Sequence, residues 1–585
     1  MIRRKQAAAA IASMLCLSLA VTACSGGSGG GGGGAGGAAN SSESGGGASG
    51  GASGTSGGAS TEQPAAEADP LFGKYEPGIE ISTVRVIDEL KFADGDDIDN
   101  NVWTRTLKER LGITINNQWV VKRDLGQEKM NVTLASGDLP DIFGVSDPTQ
   151  LKQLVDSEQV YDLTELYEKH ASPLVKEFAE ATTNGLAAAT FDGKLMAFPA
   201  GNATIDNAPI LWIRKDWLAK LNLPEPQTMD DVLRIADAFA NQDPDGNGKK
   251  DSYGLALNKT LFWANGGGAF GSLEGFFNGY RAYPQSWIKD ANGNLAYGSI
   301  QPEMKAALAQ LQEMYKNGLI DKEFGVKDES KEAELANAGK LGMGYGMMWN
   351  TLWPLNDGRK NDPNTDWQAY PIVSADGNPA KPQTPALSVT NYYVVNKHAK
   401  NPEALFKMLN LFAELQFDPK TPKEVWEQHS KINGIETWTY YPYPVGRPDK
   451  NLKIHHKVVA TLKSRDPSGL NPEELDAYNN SLAMAEGTGD ANAWGYDKVF
   501  GPEGSFKVID KYVTEKLLQP SEFYVAPTAT MVDKNATLLK MEQETFTKII
   551  MGSASVDDFD TFVSNWKKLG GDQITAEVNE WYQSK

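Results

Sequence analysis

Between residues 79 and 145 the chain alternates between two hydropathy periods, and this restricts its fold more than any other feature. IEISTVRVI (79–87) has the β-branched composition of a strand. Trp103, Leu107 and Leu111 then recur at the spacing of one helical face, and a second apolar strand runs over 113–121. A second helix to Leu134 and a third strand, DIFGV (141–145), complete a βαβαβ pattern. Strands separated by helices cannot be hairpins, so the expectation is a parallel sheet with helices packed on it, an α/β fold. Ligands of such sheets lie beyond the carboxyl ends of the strands, here residues 144–147.

Further helices carry their own punctuation. Thr228 and Asp231 form a capping box before Val232, Ile235, Ala236 and Phe239. Pro302 opens a helix with Met304, Leu308, Leu311 and Tyr315 aligned, and Gly318 closes it. Pro402 opens another with Leu405, Leu409 and Phe412. Near the end, Ser555 and Asp558 start a helix bearing Phe559, Phe562, Val563 and Trp566, expected to stop at Gly570 and Gly571. Two glycine- and aromatic-rich stretches, 263–287 and 342–354, lack periodicity and are read as functional loops.

The first 23 residues combine basic Arg3, Arg4 and Lys5 with an apolar run too short to span a membrane, which reads as an export signal. It ends in Val21-Thr22-Ala23-Cys24, which resembles a lipobox, so Cys24 is the expected lipidation site. Residues 24–68 are a Gly/Ser-rich tether with almost nothing to bury, a coil of roughly 35 to 40 Å mean span. The body is therefore expected at the outer face of the cell membrane of a Gram-positive bacterium, held by the lipid anchor only. Cys16 falls in the signal, so the body contains no cysteine, and disulfides and thiolate metal sites are excluded. Without the signal's three cations the net charge of −20 becomes −23, a surface that repels nucleic acid.

DPDGNGKKDSYG (243–254) sets Asp243, Asp245 and Asn247 at alternate positions before a glycine, as in a calcium loop, yet Gly254 stands where an EF-hand places its bidentate Glu. The residues alone leave a metal site and an exposed acidic turn both open.

Six phrases in order carry a resemblance: LASGDLPDIF (134–143), DGKLMAFP (192–199), WIRKDWLAKLNL (212–223), GKLGMGYGMMW (339–349), YYVVNKHAKNPEALFKMLN (392–410) and FDTFVSNWKKLGGDQITAEVNEWY (559–582). They resemble the extracellular solute-binding proteins of family 1, the lipoprotein components of carbohydrate ABC importers, in the large oligosaccharide-binding branch of Paenibacillus-like bacteria. The resemblance implies a two-lobe, type II periplasmic-binding-protein-like fold with a ligand cleft at the hinge. Lobe 1 would comprise 69–199 and 382–430, and lobe 2 would comprise 200–381 and 431–585. It also implies a monomer that captures an oligosaccharide and delivers it to ABC permease subunits.

Sugars offer apolar C–H faces and a rim of hydroxyls, so their sites pair flat aromatic rings with planar polar groups. Trp349 and Trp353 are expected to bind ligand because their segment is similar to the one that places a stacking Trp in maltodextrin-binding relatives. Trp263 and Trp287 flank the other glycine-rich stretch, Asp147 follows the third strand, and Asn202 lies just past the hinge-like FPAGNAT; all four are expected contacts. Asp141 reads as a structural strand-end hydrogen-bonder, while nothing in the sequence places the Tyr440, Tyr441 and Tyr443 cluster. On the pattern of family members that carry similar loops, Asp243, Asp245, Asn247 and Asp251 would offer side-chain oxygens and Lys249 its carbonyl to a structural Ca2+.

No catalytic residue is expected. The five histidines show no metal spacing, no GxSxG occurs, and 76 acids make any carboxylate pair uninformative. The alternatives to a transport receptor are a surface-tethered glycosidase or lyase and a sugar-sensing module.

Overall fold

The computed structural model describes residues 69–87, 90–201, 204–263 and 270–585. The signal, the tether with Cys24, and Asn202 lie outside these described residues. The strands Ile79–Ile87 and Ile113–Lys122 pair in parallel, joined through Val102–Thr106 and a π-turn at Leu107–Leu111 that buries Trp103, Leu107 and Leu111. The third strand, Ile142–Val145, departs from the expected parallel sheet. It forms an antiparallel ladder with Val389–Val395, which pairs antiparallel with Phe198–Gly201. In place of a backbone ladder to the first strand, the Asp141 carboxylate accepts the Ser82 N–H at 2.9 Å and its hydroxyl at 2.6 Å.

A second sheet has the order Trp367–Tyr370, Ile210–Arg214, Leu341–Gly346, Tyr253–Leu255, parallel only in its last pair. Leu341–Gly346 corrects the loop expected from residue 342: it is a fully buried central strand. A Cβ on Gly342 would lie 2.2 Å from the Phe239 ring, and one on Gly344 2.7 Å from Phe270, so glycine here admits neighbouring aromatics. The other stretch holds a buried helix, Glu274–Gly279. The Thr228–Asp231 capping box forms as expected ahead of Met229–Asn241. Gly570, at φ 129°, bends the last helices without ending them, because a π-turn at Lys567–Gly571 leads straight into Asp572–Gln583.

These elements surround two hydrophobic cores. One runs from Ile81 to Ala200, resumes from Ala386 to Val445 and takes in Tyr524; the other takes in Ala208 to Ala380 and, apart from Tyr524, Ile454 to Val578. Tyr440, Tyr441, Tyr443 and Val445 pack in the first core, so that body extends past the boundary expected at Ser430. The chain passes between the bodies after Gly201, between Ala380 and Ala386, and after Val445, and Tyr524 reaches back into the first core. Asn451, just past the third passage, donates to the Asp206 carboxylate at 2.8 Å just past the first.

Candidate functional site

Two cavities, of about 1180 and 880 Å3, open beside the junction. The larger is lined by Trp426, Trp438 and Lys431 from the first body and by Lys450, Asp476 and Tyr496 from the second, with Gly201 at the first passage. The smaller lies against the ends of Ile79–Ile87 and Ile142–Val145 and includes Arg85, Lys91, Ser146 and Asp147. Thr390, Glu436, Trp438 and Pro444 belong to both, so they form a common wall.

Trp438 is 41% exposed on that wall, in a segment held from all sides. Arg85, itself buried, donates from Nη1 to the Tyr440 carbonyl (3.0 Å) and from Nη2 to those of Thr439 (3.3 Å) and Tyr441 (3.2 Å). Burial brings its guanidinium down to about 10, so it is charged at neutral pH. Tyrosine hydroxyls complete the fixation: Tyr440 donates to the Lys91 carbonyl, Tyr441 to Met408, Tyr443 to Ile142, and Tyr393 to Pro444. The Tyr440–Tyr443 run therefore serves as the anchorage of the wall, and its exposed neighbour Trp438 presents the ring. Only the aromatic, aperiodic character of TWTYYPYP (437–444) hints at this; which ring faces out depends on contacts with strands some 350 residues away.

Among the expected contacts, Asp147 lines the smaller cavity and also caps the helix Pro148–Asp156, accepting the Thr149 N–H at 2.8 Å. Trp349, half-buried, and Trp353, 48% exposed, follow the strand Leu341–Gly346 and line neither cavity. Their turn is joined to helix Ala491–Phe500, which carries Tyr496, by a hydrogen bond from Thr351 Oγ1 to the Gly495 carbonyl (3.1 Å). Trp263 is 38% exposed, and its backbone N–H donates to the Glu274 carboxylate at 2.7 Å. Against the expectation of a ligand contact, Trp287 is only 6% exposed and packs against Tyr297 and Phe523 in the second core.

In the loop 243–251 the carboxylates gather about the Asn247 amide. Its Nδ2 donates to Asp245 (2.7 Å) and Asp251 (3.0 Å), while the N–H groups of Asn247 and Gly248 donate to Asp243, both at 3.0 Å. Lys249 enters through its N–H, given to Asn247 Oδ1 at 2.7 Å. Lys340 Nζ lies 2.7 Å from Asp251 and 3.4 Å from Asp245, and this ammonium and Asn247 hold the Asp251 carboxyl below its usual range. Among the described residues no three His, Cys, Asp or Glu side chains are grouped as a metal site. The donor set is nonetheless all oxygen and rich in carboxylate, the chemistry that suits a hard divalent cation.

A family model for the bacterial extracellular solute-binding proteins matches residues 91–414. Lipoprotein LipO of Bacillus subtilis is 24% identical, over 83% of this chain and 89% of its own. The polygalacturonan/rhamnogalacturonan-binding protein YtcQ of the same species is also 24% identical, over 78% and 83%. An EF-hand mutant of the Streptococcus pneumoniae ABC-transporter substrate-binding protein FusA, solved with fructo-nystose, superposes with a TM-score of 0.54 at 16% identity, covering 86% of this chain and 99% of that one. Among the described residues no helix is long and apolar enough to cross a membrane.

Proposed function

The chain belongs to the bacterial extracellular solute-binding proteins, and from that premise we propose that it captures an oligosaccharide between its two bodies and delivers it to an ABC permease. Trp438 carries the reading: an exposed ring on a fixed wall common to two cavities is a stacking platform with room for sugar on both sides. Drug-sized ligands occupy roughly 300 to 1,000 Å3. Two neighbouring spaces of 1180 and 880 Å3 exceed a single sugar ring and suit a chain of them. The sugars named for YtcQ and FusA agree with this class. Titration with an oligosaccharide mixture is expected to change tryptophan fluorescence and to reduce the radius of gyration in X-ray scattering as the bodies close. Steady release of reducing ends would instead assign the chain to the carbohydrate-active enzymes.

The body works as a monomer tethered through acylated Cys24, in keeping with the lipoprotein LipO. Cys24→Ser is expected to release it into the medium or to leave the precursor unprocessed; normal processing with full membrane retention would refute the anchor.

The loop 243–251 binds Ca2+ as a structural ion, a reading supported by the EF-hand named for FusA and by the carboxylates gathered around Asn247. Asp243, Asp245, Asn247 and Asp251 would hold it by side-chain oxygens and Lys249 by its carbonyl, with Lys340 as the cation it competes with. Chelation is expected to lower the melting temperature by several degrees, calcium to restore it better than magnesium, and Asp245→Ala to abolish the difference. Overlapping melting curves with calcium and with chelator would leave an acidic turn neutralised by Lys340.

A further inference from the structure

We propose that Trp581 is a clasp on the far side of the hinge: it stacks on a ring from each body, resists their closing on a ligand, and so sets how tightly the ligand is held. This rests on the capture reading above and assigns part of its affinity to a residue remote from both cavities.

The passages of the chain give the hinge two sides. Ala200 and Gly201 at the first passage, and Pro444, Val445 and Gly446 at the third, border the larger cavity, and the hydrogen bond from Asn451 to Asp206 ties these two passages together. The second passage lies away from them, for among the described residues none of 380–386 borders either cavity. There Gln383–Thr384 pairs in parallel with Gln519–Pro520, and the chain that follows reaches both bodies within residues 522–525. Glu522 donates its N–H to the Trp287 carbonyl at 2.9 Å and Phe523 packs on the second core, whereas Tyr524 and Val525 pack in the first.

Trp581 fastens this strap. Its helix, Asp572–Gln583, belongs to the second body: Ile574 and Val578 are buried in that core, and Asn579 exchanges two hydrogen bonds of 2.8 Å with the Leu295 backbone. The indole meets Phe523 and Tyr524 edge-on, with ring centres 5.1 Å apart in both pairs and planes at 82° and 89°, and it packs against both cores. Lys585 lays its ammonium over the Tyr524 and Trp581 rings, 4.3 and 5.3 Å from their centres. Edge-to-face pairs of this kind depend on ring separation and tilt. A rotation that draws the cavity walls together about the passages spreads what lies beyond them, so Tyr524 moves with the first body away from Trp581. The ligand must supply the stacking that closure gives up, and its apparent affinity is reduced by the fraction of molecules free to close.

The test follows single-molecule energy transfer across the hinge in the mature chain carrying Cys24→Ser. The body has no cysteine of its own, so Glu165→Cys on the first body and Glu313→Cys on the second, both at exposed helical positions, take the two dyes. Without ligand, Trp581→Ala is expected to raise the share of molecules away from the main transfer peak about 3- to 10-fold, the equilibrium equivalent of a lost aromatic pair. Trp581→Leu, which keeps an apolar side chain at the junction, is expected to do the same and decides the matter if the alanine variant fails to fold. Calorimetric titration of the unlabelled variants with the oligosaccharide mixture is expected to show binding tightened by the same factor, a gain that damage to the fold would not produce. A transfer distribution unchanged in every folded variant would overturn the clasp, as would binding no tighter than the parent's. A parent that binds nothing in the mixture would end the oligosaccharide reading alone, because the ligand-free distributions still decide the clasp.

Discussion

Trp438→Ala is expected to weaken oligosaccharide binding by about 10- to 100-fold, the loss of roughly 1 to 3 kcal/mol that follows removal of an aromatic anchor, while the melting temperature hardly moves. The two parts of this result have separate causes. The ring is 41% exposed, so its deletion opens no cavity in the core. The backbone beneath it is held by Arg85 and by the hydroxyls of Tyr440, Tyr441, Tyr443 and Tyr393, so the parent spends little ordering entropy on binding, and the stacking energy passes into affinity. Trp287→Ala is the converse. That ring is enclosed by Tyr297 and Phe523, and its loss is expected to cost about 3 to 5 kcal/mol of stability with little direct effect on the ligand. Calorimetric titration and thermal melts of both variants decide the matter. Parental affinity in Trp438→Ala would remove that residue from the site.

The contrast between these two tryptophans marks where the sequence could be read and where it could not. Strands Ile79–Ile87, Ile113–Lys122 and Ile142–Val145 were legible because burial on each is continuous or alternating, and periodicity records that. The capping box at Thr228 was legible because its two hydrogen bonds are local in the chain. Leu341–Gly346 was not. A strand with glycine at alternate positions has no apolar period, and the reason for the glycines is Phe239 and Phe270, more than 70 residues away. The same limit applies to the hand of the sheet: nothing near Ile142 announces that its partner is Val389–Val395. That Asp147 lines a cavity could be anticipated from its place at the carboxyl end of a strand. Trp438 shares one cavity with Tyr496 and another with Arg85 only through the return of the chain across the junction, and no short-range pattern encodes that arrangement.

Glu332→Gln is expected to stabilise the protein at pH 9 by roughly 3 to 5 kcal/mol and to leave it nearly unchanged at pH 4.5. Glu332 is 2% exposed on helix Glu329–Asn337, with one carboxylate oxygen accepting from Asn258 Nδ2 at 2.7 Å and the other without a hydrogen-bond partner among the described residues. Burial pushes its carboxyl from the usual 4.5 up to about 8, because a single amide donor cannot replace the hydration that the charged form loses. The sign follows from the protons bound in each state. Below about pH 4.5 the group is protonated whether folded or unfolded and costs nothing. Between 4.5 and about 8 the unfolded chain releases the proton that the native chain retains, so stability falls as pH rises through this window. Above about 8 both states are ionised and the loss is complete. Glu542, fully buried but accepting from Gln285, Ser299 and Tyr297, is pushed up only to about 7, so Glu542→Gln is expected to act in the same direction with a smaller gain, complete nearer neutrality. Glutamine keeps the shape of each side chain and removes its titration, which separates the charge from the packing. Denaturant unfolding of the parent and both variants at pH 4.5, 7 and 9 measures the effect; a Glu332→Gln variant that loses stability with pH as steeply as the parent would show that the native carboxyl ionises at its ordinary pH.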